Sequence, residues 1–198
     1  MTHRIFFLVC CMVSCALADM RIIQTLEHSL NELSSLQARF SHKDSSGKSY
    51  QGTFFLKRPW KLRMQYDVPS PFLIVSDGQS LIYEDQTTHE AVYLPLESFP
   101  LAFLFDKKTD LEKALEIDTV QENDDTISFL CREKKNYFTL VISFSKNEKS
   151  ITGWTSKDAQ GNEVKIILSS IQKNIPLQDG LFHFQQKPRW KTKPKERK

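Results

Sequence analysis

The sequence predicts a mainly β protein with some α structure: a strongly curved antiparallel sheet or barrel, built as one domain and covered by a few helices. Three observations lead there. About eleven short stretches alternate apolar and polar residues in the two-residue rhythm of strands. Short turn-forming links separate nearly all of them, which favours an antiparallel meander over parallel crossovers. A three- and four-residue apolar period is clear near the N-terminus. An open flat sheet with so many strands would curl or split, so curvature is expected with the strand number.

The first 18 residues read as a segment to be removed. His3 and Arg4 precede an apolar run from Ile5 to Val13, and Ala16-Leu17-Ala18 supplies small residues for cleavage, the three-part layout of a secretory signal peptide. The run is shorter than the roughly 20 residues that a membrane-spanning helix needs. Met12-Val13-Ser14-Cys15 has the outline of a degenerate lipobox, whose cysteine would become an acylated first residue. Soluble export with cleavage after Ala18 is the favoured expectation. That leaves 180 of the 198 residues, enough for one domain with a substantial core. The mature chain would keep Cys131 alone, so no intramolecular disulfide can form. Its place in the alternation Ile127, Phe129, Cys131 marks it as a small core residue.

Along the mature chain, Ile22, Ile23, Leu26, Leu30 and Leu33 form one face of an amphipathic helix between Met20 and Leu36. The period then drops to two, with Leu36, Ala38 and Phe40 inward. After the turn at Asp44-Ser45-Ser46-Gly47 a second strand runs from Ser49 to Lys57, where Gly52 signals a bulge or a close backbone approach. Leu62, Met64 and Tyr66 share a face of the third strand. Asp77-Gly78 joins strands at Phe72 to Ser76 and Ser80 to Tyr83 as a hairpin, and His89 to Leu94 adds another strand. From Pro95 to Phe105 the chain is apolar but broken by prolines, so short helical turns are expected. Asp110 to Leu115 should form a brief helix with Asp110 near its start. Strands resume at Ile117 to Glu122, Thr126 to Arg132, Tyr137 to Phe144, Ser150 to Thr155 and Glu163 to Ile171, and a last short one is expected at Leu181 to Phe184.

Charge is informative when divided. The stretch Lys187 to Lys198 holds seven basic residues and one acid, while the rest of the mature chain has an excess of acids. Such a proline-punctuated basic end reads as a solvated tail, with contact to an anionic membrane surface as its alternative. Export argues against nucleic acid as a partner. No Gly-x-Ser-x-Gly, phosphate loop or His-Glu-x-x-His motif occurs. His28, His42, His89 and His183 stand far apart in sequence, and none has a cysteine or histidine at metal-ligand spacing. An enzyme is therefore not expected, nor a metal or other cofactor. The fourteen phenylalanines leave apolar surface as the feature to explain, either as plain core or as the wall of a cavity.

Gly52-Thr53-Phe54-Phe55-Leu56-Lys57-Arg58-Pro59, then Leu62-Arg63-Met64-Gln65-Tyr66 and Pro69, then Ile74-Val75-Ser76-Asp77-Gly78-Gln79-Ser80-Leu81, resemble in order and spacing the LolA family of periplasmic outer-membrane lipoprotein carriers. The helix leading into Leu36-Gln37-Ala38-Arg39-Phe40, the Phe99-Pro100-Leu101 region and Phe182-His183-Phe184 extend the likeness, whereas the basic tail departs from the family's usual ending. The resemblance implies a half-open antiparallel β-barrel of about 11 strands, lidded by the N-terminal helix and short central helices, over residues 19–186. It implies a monomeric periplasmic carrier of acylated lipoproteins. Such a carrier receives cargo from an inner-membrane ABC transporter complex (LolCDE-like) and delivers it to an outer-membrane receptor (LolB-like) where one exists. By position Arg58 would hold the lid through its fixed donors. Phe40, Leu62, Met64, Phe72, Ile74, Leu81, Phe103, Phe138, Leu140 and Ile142 are the expected cavity wall, assigned by alternation. The alternatives are a membrane-anchored acceptor of the same fold, which requires acylated Cys15, and a general periplasmic lipid-binding module.

Overall fold

A computed structural model describes residues 20–185. The expected signal peptide with Cys15, and the basic tail at 187–198, lie outside the described residues. The described chain starts with helix α1 at 20–31, which buries Ile23, Leu26 and Leu30, the face its apolar spacing anticipates.

Six strands follow: β1 (Ser35–Lys43), β2 (Ser49–Lys57), β3 (Lys61–Tyr66), β4 (Phe72–Asp77), β5 (Leu81–Asp85) and β6 (Glu90–Leu94). Two 3-10 turns, Leu96–Ser98 and Ala102–Phe105, and the one-turn helix α2 (Leu111–Ala114) come next. Asp110 caps α2 by accepting from the Lys113 N–H at 2.9 Å. The remaining strands are β7 (Leu115–Glu122), β8 (Thr126–Glu133), β9 (Thr139–Ser145), β10 (Ser150–Lys157) and β11 (Glu163–Lys173).

All eleven strands belong to one sheet, in the order β6-β5-β4-β3-β2-β1-β11-β10-β9-β8-β7. Every pairing is antiparallel, and all but one join consecutive strands. The exception, β1 with β11, brings the two halves together. β6 and β7 remain as separate edges, so the barrel is half open. The segment between those edges, residues 95–114, supplies the cover: Phe99, Leu101, Ala102, Leu104, Phe105 and Leu111 join the main core cluster.

Register aligns the inward rows. Leu36 faces Leu56, Leu56 faces Leu62, and Leu62 faces Ser76. The next row runs Ala38, Phe54, Met64, Ile74. Gly52 lies between Phe40 and Tyr66 in the third. A Cβ on Gly52 would stand 2.6 Å from the Phe40 ring and 2.3 Å from the Gln65 carbonyl oxygen, so this is a close approach rather than a bulge. The Phe40 and Tyr66 rings meet edge to face, 5.0 Å apart.

Two boundaries depart from the alternation. Tyr137 takes a left-handed backbone with φ 60°, and β9 starts only at Thr139. Leu181 to Phe184, expected as a strand, instead contains a 3-10 turn, Asp179–Phe182. The alternation there reflected real burial, since Phe182 is 1% exposed and Phe184 packs beside Leu73, Val75 and Ile82 on the second core cluster. This segment lies against β3 and β4, each already paired on both sides, and not along the free edges β6 and β7. The chain therefore crosses the face of the sheet, tied down by Lys57 and Lys61 to Asp179, each at 2.8 Å, and by Arg63 to the Leu181 carbonyl at 3.2 Å.

A candidate lipid-binding cavity beneath a pinned cover

Arg58 follows β2 directly, and its backbone N–H donates to the Ser34 carbonyl at 2.9 Å, fixing it beside the end of α1. From there the guanidinium reaches the cover. Nε donates to the Leu104 carbonyl at 2.8 Å and a terminal nitrogen, Nη2, donates to the Thr109 hydroxyl at 2.6 Å. Leu104 sits in the second 3-10 turn, whose terminal carbonyls have no partner within the turn. Burial lowers the Arg58 pKa, and nearby Asp106 opposes that; an arginine nevertheless stays cationic. Its other terminal nitrogen, Nη1, is buried without a partner.

Thr109 is the knot of the cover, with 0% exposure. Its N–H donates to Asn31 Oδ1 at 2.8 Å and its carbonyl accepts from Asn31 Nδ2 at 2.9 Å, so the Asn31 amide pairs with it as a neighbouring strand would. Glu27, one turn earlier on α1, accepts from the Leu111 N–H at 2.9 Å. Next to Arg58, the Trp60 N–H donates to the Phe105 carbonyl at 2.7 Å. The cover is thus pinned to α1 and to the end of β2 by polar contacts, while its apolar side chains turn inward.

Under these pins lies a cavity of about 40 Å³. Leu30 from α1 and Leu33 just after it, Phe54 and Leu56 from β2, Leu101 and Leu104 from the cover, and Trp154 and Leu168 from β10 and β11 line it together with Arg58. It has room for only a few water molecules.

The expected wall residues divide differently. Phe40, Leu62, Met64, Ile74, Leu81, Leu140 and Ile142 are buried in the main core cluster, and Phe138 packs against it, yet none of these borders the cavity. Phe103 borders a separate cleft on the solvent side of the cover. Phe72 departs furthest: as the first residue of β4 it is 42% exposed, its ring edge-on to Tyr50 and Tyr66. Sequence reasoning missed Phe54, Leu56, Trp154 and Leu168 as cavity residues. The alternation of β2 placed Phe54 and Leu56 on one face with Gly52, but only the position of α1 and the cover shows which stretch of that face meets empty space.

Reactive chemistry is sparse in this arrangement. Cys131 is fully buried, and burial, aided by Glu133 and Asp118, pushes its thiol up to about 12, far from a nucleophile's range. His42 meets the Tyr66 hydroxyl at 2.7 Å, with burial holding its pKa down. Among the described residues no group of three His, Cys, Asp or Glu side chains could hold a metal ion. No described helix is long and apolar enough to cross a membrane.

The fold is thus an incomplete barrel with a cover over an apolar cavity. Residues 31–185 match the family described as outer membrane lipoprotein carrier protein LolA, and the chain belongs to that family. The outer-membrane lipoprotein carrier protein of Nitrosomonas europaea is 26% identical over 175 residues, 82% of this chain and 84% of that protein. The carrier of Neisseria meningitidis serogroup C is 27% identical over 195 residues, 92% of this chain and 93% of that protein. Among solved structures, an uncharacterized conserved protein from Thermus thermophilus shares the fold with a TM-score of 0.52 at 10% identity, covering 85% of this chain and 95% of that one.

Proposed function

We propose that this chain is a non-enzymatic periplasmic carrier that shelters the acyl chains of lipoproteins between the curved sheet and its lid. It takes them from an inner-membrane ABC transporter and hands them to an outer-membrane receptor. The observation that carries this reading is the apolar cavity under a lid that Arg58 pins through two hydrogen bonds. A buried CH₂ gains about 0.8 kcal/mol, so several acyl chains can lift a lid held by contacts worth a few kcal/mol. The same modest latch lets the lid fall back and expel its cargo. The sheet's inner side supplies apolar surface along its length, and lifting the lid would join that surface to the small cavity.

The test is to purify the protein from the periplasm and identify by mass spectrometry what comes with it. Acylated polypeptides are expected, on a mature chain that begins at Asp19 without lipid. Free phospholipid alone would replace the carrier with a general lipid-binding module, and an acylated Cys15 would replace it with an anchored acceptor.

A further inference from the structure

Across the lid from Arg58 stands a second polar side chain whose place the acyl-chain cavity leaves unexplained. Glu133, the last residue of β8, is 4% exposed. Its Oε1 accepts from the Leu101 N–H at 2.7 Å. Leu101 is held in the left-handed region at φ 69°, is 1% exposed, and places its side chain in the cavity wall. The residue that roofs the apolar space is thereby fastened from outside by a carboxyl group. The other oxygen, Oε2, is buried and makes no hydrogen bond of good geometry; the Asn136 amide gives one N–H to the Glu97 carbonyl and also interacts with the Glu133 carboxyl. A charged carboxylate so incompletely paired is costly to bury. Opening the lid onto the cleft of about 390 Å³ that borders Glu133 would let water reach it.

We infer that Glu133 is a second lid clamp, a positioning residue opposite Arg58, and that its proton decides how firmly Leu101 is held over the cavity. The inference rests on the carrier reading and adds a control to the same site. Burial raises the closed-state pKa of Glu133 from 4.5 to about 7, the contacts with Leu101 and Asn136 offsetting only part of this. With the lid open the group is solvated and returns toward its ordinary value. Closure is therefore fully favoured below about pH 4.5, weakens by up to tenfold per pH unit as pH rises to about 7, and levels off above that.

The other charged groups on the cleft are Glu27 from α1, Glu97, Asp106 and Asp110 from the cover, and Lys108, Lys113 and Lys135. Glu27 is half-buried, and Glu97, Asp106 and Asp110 are exposed, so only Glu133 among these acids is buried. On the same strand, Cys131 titrates far above this window.

The experiment follows uptake of a fluorescent fatty acid by the full mature protein from pH 5 to pH 8, for the wild type, Glu133→Gln and Arg58→Leu, with circular dichroism as a check of fold. Wild-type uptake should rise at least tenfold between pH 5 and pH 7.5. Glu133→Gln keeps the acceptor but not the charge and should give a flat profile. Arg58→Leu should take up more probe at every pH while keeping the wild-type slope. A wild-type profile that is flat, or identical in slope to that of Glu133→Gln, overturns the clamp and leaves the cavity standing. Absence of uptake in all three proteins at all pH values overturns the carrier reading itself. Should Glu133→Gln fail to fold, the wild-type profile alone still decides, since a flat one excludes control by Glu133.

Discussion

Replacing Arg58 with leucine isolates the lid latch from the rest of the fold. The side chain makes two charge-assisted hydrogen bonds in the closed state, to Leu104 and Thr109. Each contributes about 1.5 kcal/mol net of the water it displaces, and the buried, unpartnered Nη1 offsets about 1 kcal/mol, so the closed lid is favoured by about 2 kcal/mol. Losing that shifts the open-to-closed ratio roughly 30-fold toward open. Cargo needs the open lid, so acyl chains should bind more tightly and leave about 30-fold more slowly. The core beneath is unchanged, and only a small drop in melting temperature is expected. The assay is the rate at which purified protein, loaded with a radiolabelled lipoprotein, gives it up to acceptor liposomes or to a purified receptor. A transfer rate within twofold of wild type, from a mutant whose folding is verified by circular dichroism, would refute the latch.

Other perturbations probe the scaffold that positions this site. Gly52→Ala puts a methyl 2.3 Å from the Gln65 carbonyl and 2.6 Å from the Phe40 ring, so β2 and β3 must separate. Urea denaturation should show a loss of about 1–3 kcal/mol, and an unchanged midpoint would refute the close approach, because the Gln65 carbonyl is backbone and cannot rotate aside. Asp179, between Lys57 and Lys61, has its pKa held down to about 2. Because that value is depressed, the tie is complete above about pH 4 and is lost as pH falls toward 2. The protection factors of the Leu181 and Phe182 amides, taken against the intrinsic exchange rate at each pH, should fall over that interval, and in Asp179→Asn they should be low throughout. Protection that is indifferent to both changes would assign the anchoring to Phe182 alone.

Much of the architecture was written in local order. The two-residue rhythm of Leu62, Met64 and Tyr66, or of Leu140, Ile142 and Phe144, follows from strand geometry and needs no partner to be read. Asp77-Gly78 marked a turn because glycine accepts the φ of 100° found there. The resemblance of the Lys57-Arg58-Pro59 region to known carriers singled out Arg58. Its partners were not legible: Leu104 and Thr109 lie 46 and 51 residues away, and no periodicity connects a side chain to a carbonyl in a 3-10 turn.

Residue order was enough to specify the strand succession, the amphipathic face of α1 and the division of each strand into an inward and an outward side. Where the inward side is filled and where it is empty was settled by packing between distant segments. Phe40 and Leu62 on one side, and Phe54 and Trp154 on the other, carry the same alternation signal, yet only the second pair borders the cavity. Burial in a strand depends on the chain's own period, whereas a void depends on the distance between surfaces that distant segments bring together. For the same reason Leu181–Phe184 kept its apolar contacts, with Phe182 buried and Phe184 packed on the second cluster, but formed no strand: hydrophobic contact asks only for an apolar surface, while a ladder needs a free edge alongside, and this segment lies against β3 and β4, both already paired on each side.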